Sequence, residues 1–173
     1  LCSVTPLKAA TISSECDTSD IAVPIDSTVT DAAVGTKLDI KAKSAILMEP
    51  YTKTILYENN IDEKTAPASI TKILTCAMAL ERLDPQAEYT FSKEAASYDK
   101  ASTHLAFTEG ETCKIEDLLY GAMVESANDC AMALADASAG SQLAFVRLMN
   151  EKLAELGCTG SHFSNSTGMP EMN

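Results

Sequence analysis

Between Ile115 and Leu156 apolar residues recur at helical spacing three times, and the runs are separated by breaks only a few residues long. Ile115, Leu118, Leu119, Ala122 and Met123 make the first run. Ala131, Met132, Leu134 and Ala135 make the second, and Leu143, Phe145, Val146, Met149, Leu153 and Leu156 the third. Steps of three and four residues place each set on one helical face. The pattern predicts helices over 115–124, from Asp129 to about Ala137, and from Gly140-Ser141 to Leu156, with Gly157 as the C-terminal stop. A helical lobe is therefore the frame of the fold.

The first break in that lobe is Glu125-Ser126-Ala127-Asn128, and its Ser126-Ala127-Asn128 carries two polar side chains. A tight loop between buried helices can hold a hydroxyl and an amide rigidly in a cleft, where they could relay a proton and hold a substrate amide. The alternative is a helix–helix turn with Asn128 or Asp129 as N-cap. A second polar pair lies earlier, in Pro67-Ala68-Ser69-Ile70-Thr71-Lys72-Ile73-Leu74-Thr75. Ile70, Ile73, Leu74, Ala77 and Met78 have helical spacing, so Ser69 falls at or just inside a helix start and the helix runs to about Leu83, before Asp84-Pro85. Lys72 then lies one turn from Ser69 on the same side. A serine hydroxyl is a weak nucleophile until a base takes its proton. A desolvated lysine near the positive end of a helix can be that base, and the helix start offers free N–H groups to an oxyanion. The alternative is that Ser69 simply caps the helix. A second Ser-x-x-Lys, Ser97 to Lys100, is followed by Ala-Ser-Thr-His and reads as solvated loop.

Two short apolar runs, Ser44–Glu49 and Thr54–Glu58, flank the turn-like Pro50-Tyr51-Thr52-Lys53 and predict an antiparallel hairpin. Residues 36–43 could add a strand or helix end; 86–112 are irregular, with a β-like piece at Tyr89-Thr90-Phe91; and Ser161-His162-Phe163 looks strand-like before a turn. Residues 1–35, rich in Thr, Ser, Asp and Ala without a period, read as a leader or signal-peptide remnant. The net charge of −12 argues against nucleic acid and against an electrostatic membrane anchor. Six widely spaced cysteines without a Cys-x-x-Cys pair, and two distant histidines, point away from zinc, and no metal or cofactor is predicted. Cys76 and Cys130 fall in apolar helices and should behave as small buried hydrophobes.

Ser-x-x-Lys followed by Ser-x-Asn is the order found in the penicillin-binding proteins and class A β-lactamases. The chain resembles the first part of a serine-type D-alanyl-D-alanine carboxypeptidase, the low-molecular-mass penicillin-binding type. The likeness runs through Ala45–Glu49, Ile55–Asn60 and Pro67–Lys72, resumes at Asp117–Gly121 and Glu125–Asp129, and continues to His162-Phe163 and Gly168-Met169. It implies an α/β (α+β) fold of the penicillin-binding transpeptidase and β-lactamase type. An antiparallel sheet would be flanked by helices, and an all-helical lobe would carry Ser126 and Asn128. It further implies Ser69 as the acylated nucleophile, Lys72 as the base, Ser126 as the proton relay and Asn128 as the residue holding the substrate's peptide bond. The expected substrate is a peptidoglycan stem peptide ending in D-Ala-D-Ala. β-Lactams would acylate Ser69 as well, and the work would be done outside the cytoplasmic membrane.

The family's third motif, Lys-Thr-Gly, is absent from these 173 residues. Lys43-Ser44-Ala45 and Lys64-Thr65-Ala66 come near it in the wrong place. On this ground the sequence is expected to be truncated before the last strands, 36–173 being part of a catalytic domain with weak or no turnover. Two other readings stand beside the carboxypeptidase. A class A-like β-lactamase would need a deacylating glutamate, for which Glu151, Glu155 and Glu171 lack a convincing context. A penicillin- or peptidoglycan-binding module without catalysis would bind the same ligands stoichiometrically.

Overall fold

A computed structural model describes residues 40–169. The predicted leader, 1–35, and the start of the 36–43 segment lie outside them. Residues 40–44 form no regular element. Strands β1 (Ala45–Met48) and β2 (Ile55–Asn59) make the expected antiparallel hairpin, Ala45 opposite Asn59 and Leu47 opposite Tyr57, with an irregularity between Leu47 and Met48. Its turn is fastened by Glu49, whose carboxylate accepts from the backbone N–H and hydroxyl of Thr52.

A 3₁₀ turn, Ala68–Ile70, leads directly into α1 (Thr71–Leu80). This helix ends three residues earlier than expected: past it the N–H of Arg82 turns back only three residues to the carbonyl of Ala79, the tighter step that closes a last turn. Strands β3 (Glu88–Thr90) and β4 (Thr112–Lys114) pair antiparallel, with Tyr89 opposite Cys113. The lobe follows as α2 (Ile115–Val124), α3 (Asn128–Ala139) and α4 (Gln142–Glu155). The expected helix start at Gly140-Ser141 is in place, Gly140 being left-handed (φ 77°) after α3 and Ser141 capping α4 by accepting the N–H of Ala144 at 3.2 Å, and the expected stop Gly157 is left-handed (φ 75°) just after α4. Residues 161–163 are not a strand but irregular chain. Phe163 has its N–H and carbonyl both bonded by the Asn150 amide of α4, so the segment has a side chain rather than a strand as its partner.

Helix α3 is the hub, in contact with α1, α2 and α4. Its buried residues are mostly small: Ala131, Ala133 and Ala135 beside Cys130 and Leu134. Small side chains let three neighbours approach one axis closely. On one side Cys76 and Ala79 of α1 meet Leu118 and Ala122 of α2, Cys130 and Leu134 of α3, and Phe91. On another, Met78 and Ala135 meet Phe145 and Met149 of α4. Each large apolar side chain so buried contributes about 1.5–3 kcal/mol.

Helix α1 departs from its sequence pattern. Ile70 and Ile73, assigned to the buried face, are 68% and 57% exposed. The buried face is instead Thr71, Lys72, Thr75, Cys76, Met78 and Ala79. Polar residues can be buried here because they find partners: Thr75 donates to the carbonyl of Ser166 at 2.7 Å, and Lys72 is bonded as described below. The hairpin is also apolar and open, with Ile46, Leu47, Ile55 and Leu56 all exposed. Among the described residues no helix is long and apolar enough to cross a membrane, and no disulfide forms; Cys76 and Cys130 are buried, as expected of small hydrophobes.

Candidate active site

Ser69 sits in the middle of the 3₁₀ turn, exposed, and makes no capping bond: the N-cap of α1 is Ile70, without side-chain assistance. The helix-cap alternative for Ser69 therefore fails. Ala68 just before it has φ 48°, a left-handed conformation that costs an alanine on the order of 1–3 kcal/mol. What holds it is the turn Asn165–Gly168. The Asn165 side-chain oxygen accepts the N–H groups of Thr167 and Gly168 at 3.1 and 2.7 Å, and Gly168 presses its α-carbon onto Ala68. A β-carbon at Gly168 would lie 1.8 Å from the carbonyl oxygen of Ala68 and 2.7 Å from the hydroxyl of Thr71. Only glycine fits there.

Lys72, in the first turn of α1, is 2% exposed. Its Nζ donates to Ser69 Oγ at 3.2 Å and to the carbonyl of Thr167 at 3.1 Å. It forms no ion pair with a carboxylate among the described residues. Burial pushes its pKa below the ordinary lysine value, and the sulfur of Cys76, one turn along, opposes this more weakly. The positive end of the α1 dipole works in the same direction as burial. A neutral amine keeps two N–H groups and one lone pair. With one N–H given to Thr167, the lone pair is available to the Ser69 hydroxyl, so the geometry suits a base.

Ser126 and Asn128 occupy the corner between α2 and α3. The N–H of Ala127 bonds the carbonyl of Gly121 at 3.0 Å, and that of Asn128 bonds the carbonyl of Thr103 at 2.8 Å. Ser126 is half-buried at φ 57°, again left-handed for a residue with a β-carbon. The N-cap of α3 is Ala127, with no side-chain capping bond, so Asn128 is not the cap. Asn128 is 5% exposed. Its side-chain amide and the Ser126 hydroxyl make no hydrogen bond among the described residues. The structure thus joins Ser69 to Lys72 and does not bond Ser126 or Asn128 to either, although α1 and α3 are packed neighbours. Ser97 and Lys100 are both exposed and unconnected. Of the three glutamates weighed for deacylation, Glu151 and Glu155 are exposed on α4, and Glu171 lies outside the described residues.

Sequence reasoning missed the Asn165–Gly168 turn as part of the site. The signal was an asparagine followed three residues later by glycine, the chemistry of a turn that closes on its own side chain. No group of three or more His, Cys, Asp or Glu that could hold a metal occurs among the described residues.

Known proteins resemble this chain in sequence and in fold. The sequence family described as D-alanyl-D-alanine carboxypeptidase (peptidase S11) matches residues 28–173. The chain belongs to that family. Among its relatives, the D-alanyl-D-alanine carboxypeptidase DacF of Bacillus subtilis (strain 168) is 37% identical over 134 residues, which is 76% of this chain and 34% of that protein. DacC of Escherichia coli (strain K12) is 33% identical over 139 residues, 75% of this chain and 35% of that protein. In three dimensions the D-alanyl-D-alanine carboxypeptidase DacD from Francisella tularensis superposes with a TM-score of 0.72 at 31% identity, covering 79% of this chain and 34% of that one. The R248L mutant of the Streptomyces K15 DD-transpeptidase gives 0.72 at 28%, covering 79% and 56%. The fold is that of the low-molecular-mass penicillin-binding proteins, α+β with small antiparallel sheets and a helical lobe. The chain spans about a third of the length of these curated relatives.

Proposed function

We propose that residues 36–173 form the nucleophile-bearing part of a serine-type D-Ala-D-Ala carboxypeptidase, preceded by a leader over 1–35. The observation that carries this reading is the buried amine of Lys72 at 3.2 Å from the Ser69 hydroxyl. The substrate is a peptidoglycan stem peptide ending in D-Ala-D-Ala, so the site of action is extracytoplasmic, either secreted or on the outer face of the cytoplasmic membrane.

Neutral Lys72 takes the Ser69 proton as Oγ attacks the carbonyl carbon of the penultimate D-Ala. The oxyanion that forms is met by the backbone N–H of Ser69, at a helix start where such groups are unpaired. Asn128 holds the stem peptide's amide with a side chain that no other described residue hydrogen-bonds. The C–N bond breaks, and the departing amine of D-Ala takes a proton through Ser126 from Lys72. Water then repeats the attack on the acyl-enzyme and frees Ser69. A β-lactam offers the same carbonyl in a strained ring and would stop at the acyl-enzyme.

The test is intact-mass spectrometry of the chain after incubation with benzylpenicillin, beside Ser69→Ala. One penicilloyl adduct per chain, lost in the variant, is expected. A folded chain that takes no adduct, or a variant that still takes one, would overturn the assignment of Ser69.

A further inference from the structure

Asp129 is fully buried, and no lysine, arginine or histidine pairs with it among the described residues. An unpaired carboxylate is costly to remove from water unless hydrogen bonds replace the water. Here the N–H donors are all backbone. Oδ2 accepts the N–H of Leu105 at 3.0 Å and of Phe107 at 3.2 Å. Oδ1 accepts the N–H of Cys130 at 3.0 Å and a longer share of Leu105 at 3.2 Å. A capping residue for α3 would need only the bond to its own helix, and a neutral serine or threonine supplies that. The other bonds all go to a loop more than twenty residues earlier in the chain.

That loop is shaped around the carboxylate. Ala106, between the two donors, has φ 67°. A left-handed residue at this point turns successive N–H groups toward one side, the concavity that binds anions. Its far end is anchored, since Phe107 stacks on the core residue Phe91 with ring centroids 4.4 Å apart. Its near end reaches the candidate site, where the carbonyl of Thr103 accepts the N–H of Asn128. Two left-handed residues are thus associated with one buried charge, Ala106 in the loop that binds it and Ser126 three residues before it, and neither has a glycine's freedom.

We propose that Asp129 is a positioning residue. By gathering residues 103–107 onto the start of α3 it fixes the Thr103–Asn128 bond, and so the set of the Ser126 and Asn128 side chains toward substrate. This inference rests on the Ser69 chemistry proposed above. Asp129 touches no substrate and transfers no proton.

The experiment compares the chain with Asp129→Asn, which keeps the shape but puts an NH₂ against backbone donors. Two things are read: benzylpenicillin acylation by mass, as final adduct per chain and as rate, and amide hydrogen exchange over 103–107 and 126–128. We expect at least a tenfold slower acylation that still reaches one adduct per chain, with faster exchange in both segments. A residue needed only for folding would lower the final adduct and leave the rate of the competent fraction unchanged, and that result overturns the proposal. So does a wild-type rate in a variant whose loop exchange has risen. If the unaltered chain takes no adduct, the Ser69 reading fails on its own, and the exchange data still decide: unchanged protection of the Asn128 N–H in the variant overturns the coupling. Asp129→Ser, smaller and retaining one acceptor, replaces the amide variant if that does not fold. Failure of both to fold makes Asp129 a folding residue and overturns the positioning role.

Discussion

Lys72 has two hydrogen-bond partners within 3.2 Å, whereas the side chains of Ser126 and Asn128 have none among the described residues. The two halves of the candidate site are thus prepared differently. The Ser69 half is wired through side chains: a buried amine, a carbonyl to orient it, and a glycine turn behind both. The Ser126 half is wired through backbone, by the N–H groups of Ala127 and Asn128, and leaves its side chains free. A nucleophile must be activated before substrate arrives, so its partners are protein groups. Groups that hold or protonate a substrate need their hydrogen-bonding capacity unspent.

The largest test of that difference is Lys72→Met. Removal of a positioned base costs on the order of 10²–10⁴ in rate, and benzylpenicillin acylation, followed by mass, is expected to fall by about 10³. The pH dependence carries the same signature. A lysine whose pKa is lowered on folding is more often protonated in the unfolded chain between the two values. There the unfolded state binds more protons, so stability rises with pH and is lost as pH falls through the folded value. Acylation should rise through that same folded value, as the amine becomes neutral. Urea melts and acylation rates across alkaline pH check both slopes, and Lys72→Met should flatten both. Ser126→Ala comes next. Its hydroxyl bonds nothing among the described residues, so stability should move by less than about 0.5 kcal/mol, while transfer to the leaving group should slow on the order of 10². A large stability loss in Ser126→Ala would break the distinction between the halves. Gly168→Ala should act the opposite way. Its β-carbon meets the Ala68 carbonyl, so a loss of about 1–3 kcal/mol is expected, with a smaller fall in acylation as Thr167 shifts from Lys72.

The same contrast explains what could be read from the chain. The lobe was legible because apolar spacing from Ile115 to Leu153 reports burial of each helix on a face made of apolar side chains, whether the neighbour is another lobe helix or α1. Ser69 and Lys72 were legible because three residues make one helical turn. Helix α1 misled, since Ile70 and Ile73 have the spacing of a core face and yet are exposed. Its buried face is set by long-range partners, Ser166 and Thr167, more than ninety residues away. Local periodicity cannot count a threonine or a lysine as core when the acceptors that allow their burial are so distant. For the same reason the Asn165–Gly168 turn read only as a turn, and Asp129 only as a helix-start acid. Their contributions appear once Ala68 and Leu105 are brought beside them.

The smallest effect sharpens this last point. Thr75 lies one turn beyond Lys72 and donates to the carbonyl of Ser166, next to the Thr167 carbonyl that Lys72 uses. Thr75→Val keeps the volume and removes the donor, so a buried carbonyl loses its partner at about 1 kcal/mol. If the tail merely covers α1, thermal melting shows that loss and acylation stays within about twofold, since the Asn165 bonds still set the turn. An acylation loss as large as that of Gly168→Ala would mean that Ser166 and Thr167 move as one unit. The orientation of Lys72 would then depend on the whole buried polar face of α1, with the nucleophile half wired more widely than its two bonds suggest.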